Sequence, residues 1–349
     1  MLDIITLTVG GRPMPHVSCK LDADAEQAVR AGSFDVAWNG PGLPCREDEA
    51  CTVEINGALW LTGYVRDVNA SHDDSTRMYA VAVASRTVDA TECSIDHPEG
   101  FLEDCTLKDI AGAFDTAGIG VDVMIDTAKK ALHQIVPGET LFSTLERDAR
   151  AAGALIYDTP QGRLKIIEGP EGRHQGGLVL GVNIKRASST LSGRFNYSEV
   201  KVRGQSSVGV TGAATRPEAE ARGTADRKRT LIIYHEGELT SDRAKKRAGW
   251  EARRAAGRAK TASITVPGLR DAGGTVWSPN FLVPVRDAWI GLSQDMIIAS
   301  VSLTQDANGG GTEAVLTVKD PRALGGDNPR GESAEGWDAP EDEPTFRED

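Results

Sequence analysis

The chain has 349 residues, a formal net charge of −12, 40% hydrophobic residues and 5% aromatic residues. That length allows two or three domains of roughly 100–200 residues each. The acidity disfavours nonspecific attraction to nucleic acid or anionic membrane, and no apolar run approaches the roughly 18 residues that a membrane span needs.

Residues 1–93 read as strands. Apolar runs at 4–9, 34–38, 51–55, 59–68 and 78–85 are separated by Gly, Pro, Asn and Asp. Asn56-Gly57 is a two-residue hairpin signal, because both positions tolerate positive φ. A small antiparallel sheet or barrel is predicted here. Between 94 and 170 the period changes. Thr106 is placed to cap a helix through Leu107, Ile110, Ala111 and Phe114, with Gly118 ending it before a strand at 121–125. Leu141, Leu145, Ala149 and Ala152 share one helical face, Gly153 stops that helix, and 155–157 pairs with 164–167. A compact α/β module between two β blocks follows from this pattern.

Strands resume at 178–184 and 199–204. The run 205–226 is rich in Gly, Ser, Thr and charge without apolar periodicity, which predicts a protruding mobile loop. A strand at 229–234 precedes a helix over 240–260, capped by Thr240 or Ser241 and about 30 Å long at 1.5 Å per residue. That helix is basic through Arg243, Lys245, Lys246, Arg247, Arg253, Arg254, Arg258 and Lys260, and its alanines allow close contact with a sheet. After a strand at 264–266, the stretch 273–319 alternates at strand period. Ile297, Ala299, Val301 and Leu303 interleave with Ile298, Ser300 and Ser302, and 306–311 turns the chain into a partner strand carrying Ala314, Leu316 and Val318. Pro284 removes a ladder donor and predicts an edge or a bulge. Beyond Leu324 the chain is acidic and nearly free of apolar residues, so 325–349 is expected to be a disordered tail.

The chemistry-bearing residues form no recognisable constellation. No Walker loop, dinucleotide fingerprint, H-E-x-x-H or G-x-S-x-G elbow is present, so no cofactor, metal or catalytic residue is predicted. Five cysteines (Cys19, Cys45, Cys51, Cys93 and Cys105) without C-x-x-C spacing argue for reduced, mostly buried thiols. His16 with Cys19 is a lone His-x-x-Cys. Glu99 with Glu103 and Asp104 resembles a carboxylate pair but is equally a solvated charge cluster. The start of the chain carries Asp3 and no basic segment, which predicts no secretory leader and no membrane insertion. Trp277 and Trp289 are core or interface anchors, at least one of them at an interface.

Four stretches, taken in order, resemble the baseplate hub family of Mu-like contractile-tailed phages, also called tail protein P or late control protein D. They are VEINGALWLTGYVRDV with YAVAVASRTVDATECSI, then LKDIAGAFDTAGIGVDV, then GETLFSTLERDARAAGALIYDTPQGRLKI, and DAGGTVWSPNFLVPVRDAWIGLSQDMIIASVSL. The resemblance covers residues 2–324. It implies a mainly β protein in which two tail-tube-like β-barrel domains, 1–93 and 171–324, flank a LysM-like α/β module at 94–170. It further implies a non-enzymatic homotrimer in the virion tail baseplate, assembled in the host cytoplasm. Its partners would be a central spike, the tail tube or a distal tail protein, baseplate wedge proteins and the tape measure protein, with DNA passing through without specific binding. Trp277, Asn280 and Trp289 are the expected anchors of the last barrel, and Gly63 and Tyr64 those of the first. The competing expectation is a peptidoglycan-binding or peptidoglycan-hydrolysing tail protein acting through the LysM-like module.

Overall fold

The computed structural model describes residues 3–75, 77–205, 215–239, 241–307, 309–327, 329–333 and 345–346. The first block holds β1 (Ile5–Val9), β2 (Arg12–Met14), β3 (His16–Asp24), β4 (Ala31–Val36), β5 (Ala50–Ile55), β6 (Ala58–His72) and β7 (Arg77–Ser85). The middle of the chain holds α1 (Asp89–Glu92), β8 (Phe101–Cys105), α2 (Leu107–Phe114), β9 (Val121–Val123), β10 (Lys130–Gln134), α3 (Leu141–Ala152), β11 (Leu155–Asp158) and β12 (Leu164–Ile167). The last block begins with β13 (Gly172–Arg173), β14 (Leu178–Val179), β15 (Arg186–Leu191), β16 (Glu199–Gln205), β17 (Glu218–Arg222) and β18 (Thr230–Glu238). It continues with α4 (Ser241–Gly257), β19 (Lys260–Pro267), β20 (Phe281–Asp287), β21 (Leu292–Asp306), β22 (Gly311–Lys319) and the short β23 (Thr345–Phe346).

The two β blocks are copies of one five-stranded antiparallel unit. In the first the spatial order is β5-β6-β7-β4-β3, and in the last it is β20-β21-β22-β19-β15. The strands also follow one another along the chain in the same sequence, β3 to β7 against β15 and β19 to β22. The match extends to detail. Both long strands, β6 and β21, have 15 residues, and each breaks register at the same place, Val65/Asp67 against β7 and Ile298/Ser300 against β22. Asp48 and Asn280 occupy equivalent positions with φ of 62°, and their backbone N–H groups donate to Val65 O and Ile298 O at 2.8 Å. Inward side chains correspond as well: Phe34 to Ile264, Val36 to Val266, Val81 to Leu316 and Val83 to Val318, all in one buried core.

The blocks do not form two separate closed barrels. The sheet is open among the described residues and runs from β15 to β2, with the units fused where β3 pairs antiparallel with β21 from Asp24↔Ser300 to Ser18↔Asp306. The reason is length. β20 covers β21 only as far as Ile297, so the remainder of that edge must find another partner, and β3 supplies it. Pro284 lies inside this sheet and not at an edge. β20 pairs with β13 at 281–282 and with β14 at 285–286, so Pro284 falls in the gap between them, where no donor is needed.

In the middle α/β module the two predicted helices and the β11–β12 hairpin form, and the chain adds an antiparallel pair, β8 with β10, that the sequence reading lacked. Thr106 and Asp109 form a reciprocal capping box at the start of α2, and Gly153 ends α3 in the left-handed region. Its core is separate from the sheet core and is built on Ile110, Phe114, Leu145, Leu164 and Ile166. A third layer is inserted between β15 and β19. The sheet β18-β16-β17-β23 is covered by α4, whose Ala244, Ala248 and Ala252 meet Val200, Val202, Ala219 and Ala221. Small residues on the helix allow this close approach.

Two local expectations change. Within 205–226, residues 218–222 form β17 and are not loop, with Ala219 and Ala221 buried; residues 206–214 lie outside the described residues. The start of the tail is ordered. Gly331 bridges Gln294 at φ 135°, a conformation open to glycine, and Ser293 N donates to Ser333 Oγ at 2.9 Å. Of the rest of the tail, 334–344 and 347–349 lie outside the described residues.

Gly63 marks a steric limit in β6, because a Cβ there would sit 1.8 Å from Ala84 O. Gly63→Val is expected to cost about 3 kcal/mol of stability by overpacking and lost pairing with β7. Gly112→Ala, in the interior of α2 with open space around it, should gain about 0.5–1 kcal/mol. Thermal unfolding of both variants against the parent checks the pair.

Candidate assembly interface

Trp277 and Trp289 have opposite environments. Trp277 is 2% exposed and its ring lies 4.7 Å from that of His174. His174 is itself locked: Nδ1–H donates to Asp271 Oδ2 at 2.9 Å, and Nε2 accepts from Ser278 N at 3.2 Å. Burial pushes the His174 pKa down against the opposing pull of Asp271, so the ring is neutral and the Ser278 bond fixes its tautomer. Asp271 also accepts from the backbone of Gln175, Gly273 and Thr275. This His–Asp pair has no room for a nucleophile, since both nitrogens are already committed, and it ties the loop before β20 to the segment between β13 and β14.

Trp289 is 90% exposed. It stands at the turn between β20 and β21, where buried Asp287 accepts from Trp289 N at 3.0 Å and Ile290 N at 3.4 Å, and Gly291 takes φ 71°. The turn is therefore built, and it holds a large aromatic in water. Leu180 and Val182 are exposed on the neighbouring segment, which is tied to the same strand by Leu180 N donating to Arg286 O at 3.0 Å. Exposed apolar side chains thus flank the far end of β20 on both of these segments.

Asn280 is a junction residue. It is fully buried, and its Nδ2 donates to Gly169 O at 3.0 Å and to Tyr157 Oη at 3.3 Å, while Tyr157 Oη donates to Glu171 Oε2 at 2.7 Å. Burial and the Glu171 carboxylate both push the Tyr157 pKa up. The α/β module is thereby pinned to the last block. A second pin reaches the first block. Arg30 Nε donates to Asp158 Oδ2 at 2.8 Å and Nη1 to Trp60 O at 2.7 Å, all buried. Tyr64 is half-buried beside Gly63 in β6. The α3 side of the module holds a third cluster. Asp148 meets Lys130 at 2.7 Å and His133 at 3.0 Å. Burial would raise its pKa, but these two partners outweigh that and hold the carboxyl at about 2.

Much of the positive charge of α4 is answered inside the chain. Arg254 and Arg258 reach Glu26 of the first block, Arg247 pairs with Glu251 at 2.8 Å, and Arg243 donates to Ala128 O at 3.1 Å. The basic face of this helix is thus answered partly by acids of the chain itself. Glu103 and Asp104 lie on β8, and Asp104 pairs with Lys129 at 2.5 Å. His16 sits edge-on to Phe34, and Cys19 is buried. Among the described residues no group of three or more His, Cys, Asp or Glu is arranged to hold a metal.

Comparison with known proteins places this architecture. The second domain of baseplate hub proteins of the gp44 type matches residues 87–168, and the fourth domain of the Mu phage baseplate assembly protein GpP matches residues 240–326. The baseplate hub protein gp44 of Escherichia phage Mu is 26% identical over 327 residues, 87% of this chain and 84% of that protein. The crystal structure of the 43 kDa tail protein of prophage MuSo2 from Shewanella oneidensis is 31% identical, with a TM-score of 0.80 over 93% of this chain and 99% of that one. A tail protein from Neisseria meningitidis MC58, at 19% identity, shares the fold with a TM-score of 0.75 over 91% of this chain and 96% of that one. With a relative this similar spanning nearly the whole chain, and with hub-domain matches falling on both the α/β module and the last sheet unit, the chain belongs to the Mu-like phage baseplate hub family.

Proposed function

We propose that three copies of this chain form a ring in the virion tail baseplate that joins a sixfold tail tube above to a threefold central spike below, leaving a channel for tape measure protein and DNA. The internal repeat carries the reading. Each chain holds two five-stranded units of one design, so three chains present six, and a threefold object acquires near-sixfold symmetry on the face that meets the tube. The open ends of the sheet support it too, since unpaired edges of a stable protein are normally covered, and a ring covers them by mutual contact.

In this reading each unit is a tail-tube-like barrel completed by its neighbours. The domains are 1–93, 94–170 and 171–324, followed by the acidic segment 325–349, with β16 to β18 and α4 inserted in the third. The α/β module is a LysM-like brace, held at Asn280 and Arg30, and no feature of it favours glycan binding or hydrolysis. Spike, tube or distal tail protein, wedge proteins and tape measure are the partners. DNA slides through a bore lined by the acidic excess without specific contact. The role is scaffolding and not catalysis.

Native mass measurement of the purified protein at micromolar concentration is expected to give a trimer; a stable monomer there would overturn the ring. Trp289→Ala should change the stability of the folded chain by less than about 0.5 kcal/mol yet weaken assembly, whereas Trp277→Ala should cost about 3–5 kcal/mol in unfolding. Denaturant melts beside native mass spectra of the two variants separate the outcomes.

A further inference from the structure

We infer that the cleft where α4, the α/β module and the first block meet is a binding site for a compact dianionic oxyanion, inorganic phosphate or a small phosphate monoester, held by Arg254 and Arg258. The inference is independent of the ring reading above, since every residue it uses belongs to one chain.

The cleft has a volume of about 250 Å³ and is shared by Glu26 between β3 and β4, Glu146 and Arg150 of α3, the start of β11, and Glu251, Arg254 and Arg258 of α4. Its charges do not balance. Glu251 is taken by Arg247 at 2.8 Å and Glu146 by Arg150 at 2.5 Å. Glu26 alone faces three cations. Lys319 Nζ donates to its Oε2 at 2.8 Å, Arg254 Nη2 donates to its Oε1, and Arg258 Nη2 lies 3.8 Å from that same oxygen. Burial would raise the Glu26 pKa, yet Lys319, Arg254 and Arg258 together pull it below its ordinary value. The acid is therefore charged, and one negative charge against three positive ones leaves an excess of two beside the cleft.

Donors are left over as well as charge. The Arg254 guanidinium is stacked 4.7 Å over the ring of Trp250, and its buried Nε has no hydrogen-bond partner among the described residues. An unmade hydrogen bond on a buried charged group is costly, and burial pushes the Arg254 pKa down against the pull of Glu26 and Glu251. At 3.8 Å, Arg258 is beyond hydrogen-bond distance of Glu26, so its planar fork of donors is open. β11 adds a backbone group. Thr159 N donates to Arg163 O at 2.8 Å, which sets the alternation of the β11–β12 ladder and turns the Ile156 N–H away from β12. That side of β11 has no strand partner among the described residues, and Ile156 borders the cleft. Two guanidinium groups and an amide suit the oxygens of a phosphate, which arginine forks bind bidentately. A dianion meets the excess of two, whereas chloride meets half of it. Bound there, it ties α4 to the module and to the first block at one point, where Glu26 otherwise serves alone.

Calorimetric titration of the full chain with inorganic phosphate, against chloride at equal ionic strength, tests the site. Phosphate should bind saturably, raise the melting temperature and slow hydrogen exchange of the Ile156 amide, while chloride does none of these. Arg258→Gln, at a side chain 41% exposed, should keep the fold in chloride and bind phosphate about tenfold or more weakly, as loss of a charge-assisted hydrogen bond entails. Arg253→Gln, an exposed position on the same helix, removes an equal charge and should leave the affinity unchanged. Titration with glycerol phosphate separates the two sources: affinity equal to that of phosphate assigns a monoester, and affinity for phosphate alone assigns the free ion. Absence of saturable phosphate binding, equal weakening in both variants, or binding that leaves Ile156 exchange unaltered overturns the site. The exchange measurement on the parent chain decides the matter even where Arg258→Gln does not fold.

Discussion

A strand that outruns its neighbour sets the architecture. β21 extends beyond β20, and the exposed half of its edge cannot remain unpaired in a folded protein without cost. The chain satisfies it with β3 from its own first block, and in doing so fuses two units into one sheet with a shared core of Leu7, Phe34, Val83, Ile264, Val283 and Leu316. That a single core spans both blocks follows from this joint. So does the asymmetry of the molecule, since β6, built to the same plan, has no equivalent of β3 among the described residues.

The remaining parts are arranged around that sheet by buried polar contacts and by a small apolar cluster in which Leu155 and Tyr157 of the α/β module meet Ala25, Ile297, Ala299 and Leu324. Arg30 with Asp158, and Asn280 with Tyr157 and Glu171, reach across long sequence separations to hold the α/β module against both blocks. Breaking one member of such a buried pair leaves its partner desolvated and unsatisfied, which makes these contacts strict about orientation even where their net contribution to stability is small. The inserted layer behaves similarly. Its alanine-faced helix lies close on β16 and β17, while Glu26 of the first block gathers Arg254, Arg258 and Lys319.

Local signals were legible where local chemistry decides the outcome. Asn56-Gly57 turns the chain with both residues at positive φ, Thr106 caps α2, Gly153 ends α3, and the alanine face of α4 meets a sheet. β17 escaped notice because its buried residues, Ala219 and Ala221, carry too little hydrophobic signal to show alternation in a run of Glu and Arg. Trp277 and Trp289 look alike in sequence. Only the return of His174 from a distant segment buries one, and only the Asp287 turn exposes the other. The repeat was legible only through the family resemblance and not from the residues themselves, because equivalent core positions need volume and not identity, as with Phe34 and Ile264. Its one conspicuous trace is the pair of non-glycine residues at positive φ, Asp48 and Asn280, which strand periodicity cannot reveal. The family was legible through the order of four stretches, none of which specifies a contact.

A hub whose two sheet units are equivalent should look nearly sixfold at one level and threefold elsewhere. An electron cryomicroscopy map of the assembled particle measures this directly. The account predicts six superimposable five-stranded units around one axis, two from each of three chains. A map in which the two units of a chain lie at different levels or do not superimpose around that axis would contradict it.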